Sequence, residues 1–201
     1  MGLPPSTWSD GKPMTEGWVR FDQYDDVLAS TDLLALVAPS LREQPSSWKW
    51  MIIAAHNGLQ GALVCAIRDT SGTNVLKERS AKAKLTWLAN PAGTPPHERL
   101  DDFIPLLKKY RKKYPCCGTI QQLRQIHKLH SEFRNNFVHF VPKGWSIELA
   151  MLPAIIRTGL DLIEAAMQQH QVAIHLDEGM QRRLQQNLTV AREHLPFLGR
   201  L

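Results

Sequence analysis

The sequence predicts an all-α protein, an up-and-down bundle of about five to six helices. Three observations carry that reading. Apolar residues recur at helical spacing through most of the chain, and helix start and stop signals bracket those stretches. Strand-like alternation is missing over any length. No Gly-rich phosphate loop and no internal repeat is present, which removes nucleotide-loop and solenoid architectures.

Residues 1–17 hold three prolines and two glycines with little periodicity, and read as a flexible tail. A single domain over 18–201 follows. Helical texture starts near Trp18, and Leu28, Leu33, Leu34, Leu36 and Val37 form an apolar side before Pro39 stops the run. Pro45-Ser46-Ser47 is a helix-start signal with serine as the N-cap. The helix it opens, to about Arg68, is apolar nearly all round, the mark of a central buried helix. Its Gly58, Gly61 and Ala62 allow another backbone to come close. Within it His56, Asn57 and Gln60 form a polar ridge, which either bonds across the core or lines a cleft.

Ser71 to Asn74 is a loop, a short helix spans about Leu76 to Leu88, and Asn90 to Pro96 is a connector. Asp101 and Asp102 are expected to cap the next helix, whose first turn tolerates Pro105. That helix carries Lys108, Lys109, Arg111, Lys112 and Lys113, interleaved with Tyr110 and Tyr114. Basic side chains beside aromatics suit RNA phosphate contact and base stacking. Equally, Phe103, Leu106, Leu107, Tyr110 and Tyr114 fall at helical spacing, leaving the lysines as the solvated back of a core stripe.

Thr119 with Gln122 makes a capping box and starts a helix whose apolar face holds Leu123, Ile126, His130, Phe133, Phe137 and Phe140. Pro142 and Gly144 close it. Trp145 to Leu152 is ambiguous, Pro153 opens a further helix, and Asp177 caps a last one carrying Leu184, Leu188, Ala191 and Leu195.

The totals narrow the function. An apolar share of 43% in 201 residues is enough for one buried core. A net charge of +5 leans towards an anionic partner. Three cysteines without CxxC spacing give neither a disulfide framework nor a zinc site, so a reducing, cytoplasmic setting is expected, with no metal and no cofactor. No signal peptide is apparent, the Met1–Ser6 match to a myristoylation pattern is too loose to use, and the run Met51–Ile67 reads as too short and too polar to span a bilayer.

The chemistry points to the stretch from His130 to Trp145, and there to Arg134, Asn135 and His139. Arginine offers a planar fork of donors that fits phosphate oxygens, and histidine moves a proton near neutral pH. Together with the amide they are sufficient for phosphodiester cleavage without a metal. His139 falls in the last turn, at the negative end of the helix dipole, which suits a general acid. On a straight α-helix, however, Arg134 and His139 differ by about 140° and do not aim at one point. Either the last turn unwinds ahead of Pro142, or a second copy completes the site. Arg124 with His130 also fits the loose spacing, but His130 lies on the apolar face and reads as a packed core histidine.

Arg134-Asn135-Asn136-Phe137-Val138-His139 resembles the signature of the HEPN superfamily: an arginine, a polar residue, a short spacer and a histidine. Its flanks, with Phe133, Phe140 and Pro142-Lys143-Gly144-Trp145-Ser146, are similar to small stand-alone HEPN-like bacterial proteins without an assigned function. The resemblance implies a helical bundle that forms a homodimer with its two motifs meeting in a cleft. It further implies a metal-independent endoribonuclease, in the manner of toxins with a cognate antitoxin and of phage-defence effectors. Arg134 would bind phosphate, Asn135 orient the site and His139 transfer the proton. The competing expectation is a non-catalytic dimeric module that binds RNA, a nucleotide or a protein partner, with His56, Asn57 and Gln60 lining its pocket.

Overall fold

The computed structural model describes residues 19–116, 118–139, 142 and 144–195. The expected tail, Cys117, Phe140 and Lys143 lie outside the described residues. Among those described, the chain is all helical, apart from an isolated antiparallel bridge between Leu76 and Leu100.

Helix α1 (Gln23–Val37) begins with a complete capping box, Asp22 accepting from the Tyr24 and Asp25 amides while Asp25 accepts from the Asp22 amide. Helix α2 (Trp48–Ile67) is the centre of the bundle, packed against α1, α4 (Phe103–Lys113) and α7 (Leu152–Met167). With its preceding turn it runs 23 residues, long and apolar enough by composition to cross a membrane, so the sequence reading of its length falls short. Its apolar sides are taken up by the neighbouring helices: Met51, Ile52, Ala55, Leu59, Ala62, Leu63 and Ala66 are completely covered. A Cβ added at Gly61 would stand 2.8 Å from Val27 Cγ2, so only glycine lets α1 come this near.

Helix α5 (Ile120–Lys128) starts with the predicted Thr119–Gln122 capping box. It runs on through a widened π turn, Leu129–Arg134, into the short α6 (Asn135–Val138). Helix α8 (His170–Ala173) is a single turn, and α9 (Glu178–His194) is capped by Asp177, as expected. Arg183 and Asn187 of α9 both bond the Asp32 carboxylate, tying α9 to α1. Helix α3 (Glu78–Ala89) stands outside the bundle, with only Ser80 buried.

Three local expectations are corrected. Leu36 is 63% exposed, because the helix turns it away from the side that meets α2 and α9. Ser47 does not cap α2. A 3₁₀ turn over Pro45–Ser47 precedes the helix, and the Ser47 hydroxyl bonds Ser40 instead. Neither aspartate caps α4 through its side chain: Asp101 pairs with Lys109 at 2.7 Å and Asp102 with Lys77 at 2.9 Å. In both cases a stronger charged or closer hydroxyl partner outcompetes the orphan helix amides.

Candidate active site

The π turn decides where the motif points. In it the Asn135 amide reaches back five residues to the His130 carbonyl, not four. Such spacing frees carbonyls that an α-helix would have paired, and side chains take them up. The Ser131 hydroxyl donates to His127 O at 2.7 Å and Asn136 Nδ2 to Glu132 O at 2.6 Å. From the core side the turn is held by His130, whose Nδ1 lies 2.9 Å from His56 Nε2 of α2. Phe103 of α4 covers both rings, with centroids 4.4 Å from His56 and 4.9 Å from His130.

His56 is completely buried and its Nδ1 has no partner. An orphaned N–H is costlier than a bare nitrogen, so the proton belongs on Nε2, donated to His130 Nδ1. Burial pushes the His56 pKa down to about 3, with His130 and the Arg134 charge adding to the effect. Burial also lowers that of His130, again assisted by Arg134. This is a neutral histidine pair that bonds across the core.

At the far end of the turn the geometry changes character. Arg134 is half-buried, and its Nη1 donates to Asn135 Oδ1 at 3.1 Å. The same Nη1 lies 3.5 Å from His139 Nε2. His139 has left the helix, with φ −104° and ψ 57°, while its amide still bonds Asn135 O at 2.8 Å. The phase change at the π turn, followed by this unwinding, closes the 140° gap of a straight helix within one chain. Arg134 Nε is buried without a hydrogen-bond partner, and no carboxylate pairs with the guanidinium among the described residues. A cation held so, with an imidazole at its side, is suited to an oxyanion.

Arg134 also walls a cleft of about 380 Å³, with Gln23 and Asp26 from the first turn of α1, Asn57, Gln60, Gly61 and Val64 from α2, and Leu100 ahead of α4. The polar ridge is thus divided: His56 turns into the core, while Asn57 and Gln60 line the cleft. Asp26 escaped the sequence reading, since an acidic residue in a first helical turn signals only a helix start. Gly61 had been a hint, as the point where α1 crosses close.

The basic residues of α4 do not join this cleft. Lys109 bonds Asn74 O as well as Asp101. Lys113 Nζ and Tyr114 Oη both donate to Ala66 O, one of the last carbonyls of α2. Tyr110 is completely buried, so the tyrosines belong to the core stripe. Lys108, Arg111 and Lys112 remain exposed. A second hollow, of about 480 Å³, lies between Lys109, Lys112, Lys113, Ile67 and Asn74, and shares no lining residue with the first. Among the described residues no group of three His, Cys, Asp or Glu side chains is arranged to hold a metal ion. Cys65 is buried, its thiol pushed up to about 12 by burial, and Cys116 is exposed. No protein-family model, curated protein or solved structure matches the chain.

Proposed function

We propose that this chain is an endoribonuclease of the HEPN type that acts as a homodimer and needs no metal. One observation carries the reading: the half-buried Arg134 guanidinium has no carboxylate partner, and its Nη1 stands beside both Asn135 Oδ1 and His139 Nε2. A phosphate oxygen would give the buried Nε the acceptor it lacks. In the reaction the ribose 2′-oxygen attacks the adjacent phosphorus. The new P–O2′ bond forms as the P–O5′ bond breaks, leaving a 2′,3′-cyclic phosphate and a 5′-hydroxyl. Arg134 balances the charge that builds on the phosphoryl oxygens. His139, exposed at the rim, gives a proton to the departing 5′-oxygen. A second imidazole, from the other copy of the motif, takes the proton of the 2′-hydroxyl. Val138, 45% exposed next to His139, offers apolar contact for that copy.

The test is incubation of RNA with the purified protein in EDTA. Products ending in 2′,3′-cyclic phosphate are expected, and intact RNA at stoichiometric enzyme would overturn the reading. A second reading, a non-catalytic module for RNA, a nucleotide or a protein such as an antitoxin, is favoured by the amide-lined cleft beside Arg134. It predicts RNA binding without cleavage, weakened by Lys108→Gln with Lys112→Gln and by salt.

A further inference from the structure

The cleft beside Arg134 holds more than a phosphate requires. Two of its polar groups have no hydrogen-bond or ionic partner among the described residues: the Asp26 carboxylate and the Gln60 amide. Gln60 is half-buried, where an unbonded amide is a standing cost. Asp26 Oδ2 lies close over the α2 backbone, 3.1 Å from where a Cβ on Gly61 would stand. The absence of a side chain at Gly61 therefore keeps the carboxylate against the helix next to Gln60. Burial of that inner side raises the Asp26 pKa, a sign that the carboxylate is underserved by donors. Val64 and Leu100 add apolar wall.

We infer that this cleft is a nucleobase subsite, and that it takes the guanine of a nucleotide next to the phosphate held by Arg134. The inference rests on the ribonuclease reading for the phosphate but on separate residues for the base. An ionised carboxylate only accepts hydrogen bonds. Guanine alone presents two adjacent donors, N1–H and the N2 amine, on its pairing edge. Adenine and cytosine set a bare ring nitrogen beside their one amine, and uracil flanks its single N–H with two carbonyls. Each of those would face the Asp26 oxygens with a repelling lone pair. The Gln60 amide supplies the complementary donor for guanine O6, and the ring lies against Val64 and Leu100. Single-stranded RNA is commonly read in this way, by its pairing edge and its ring face.

The experiment compares cleavage of single-stranded oligonucleotides that carry one guanosine, inosine or adenosine within an otherwise constant sequence. Cleavage beside guanosine is expected to be at least tenfold faster than beside adenosine, with inosine, which lacks the N2 amine, between them. Asp26→Asn should bring the guanosine-to-adenosine ratio close to one, and Gln60→Leu should lower it. Equal rates in the wild type, or a ratio unchanged in Asp26→Asn, would overturn the subsite and leave the ribonuclease standing. If no RNA is cut, the ribonuclease reading fails, and the subsite is decided by titration with GMP and AMP followed by NMR. Preference for GMP that disappears in Asp26→Asn upholds it, while equal binding, or none, overturns it.

Discussion

Two histidines at either end of the π turn have opposite fates. His130 is drawn inward, bonded to His56 and stacked under Phe103, with burial holding it neutral. His139 is put outside, exposed, beside an arginine without a counterion. The residue type is the same, and the helix is nearly continuous between them. What differs is the surroundings, and these separate a structural imidazole from one with chemistry open to it. The inner pair anchors the turn whose outer end presents Arg134.

The sharpest way to break this contrast is to remove each end in turn. His139→Ala and Arg134→Ala are each expected to slow RNA cleavage by about 10²-fold or more, the usual worth of a general acid or an oxyanion donor, with urea midpoints unchanged. Cleavage in EDTA at the wild-type rate by His139→Ala would remove the outer half of the comparison. His56→Ala should do the reverse first. It empties a fully covered site and strands His130 Nδ1, costing about 2–4 kcal/mol in urea unfolding. Arg134 then loses its anchor, so any residual cleavage should fall as well.

The inner pair also has a pH signature. The folded His56 pKa, about 3, lies below its ordinary value, so the unfolded chain takes up the proton first. Stability is then full above about pH 6.5 and declines as the pH falls towards 3, by about 2 kcal/mol between pH 7 and pH 5. Urea titrations at the two pH values measure this, and His56→Leu should flatten the difference. Smaller still is Gly61→Ala, expected to cost about 1–3 kcal/mol through its contact with Val27 and to show as a lowered Tm. A neutral outcome there would mean that α1 can back away from α2 without loss.

The main elements were legible because their signals are local. The Thr119–Gln122 and Asp177 caps, the central helix α2 and the buried faces of α7 and α9 all follow from spacing and capping chemistry. The turn at Leu129–Arg134 was not. A rotation of 100° per residue assumes an unbroken α ladder, and nothing in His130-Ser131-Glu132-Phe133 announces the departure. It depends on a partner distant in sequence, His56, and on Ser131 and Asn136 side chains that bond carbonyls. For the same reason the three site residues were legible as types, while their meeting was not. Asp26 was missed because its role comes from the helix laid across it. Ser47, Asp101 and Asp102 were misassigned because local capping rules do not know of a hydroxyl or a lysine arriving from elsewhere.

A π turn is an α-helix with one residue too many. In this protein the surplus residue acts as a rotary setting. Deleting Ser131 would let the ladder close into regular α geometry, and every side chain beyond it would move round the axis by one step of about 100°. Arg134 would swing off its cleft while the apolar helices kept their contacts. The melting temperature and the NMR spectrum of α1, α2, α7 and α9 should then change little while RNA cleavage disappears. A chain of this kind can therefore gain or lose its chemistry by a single three-nucleotide insertion or deletion, with the fold left in place.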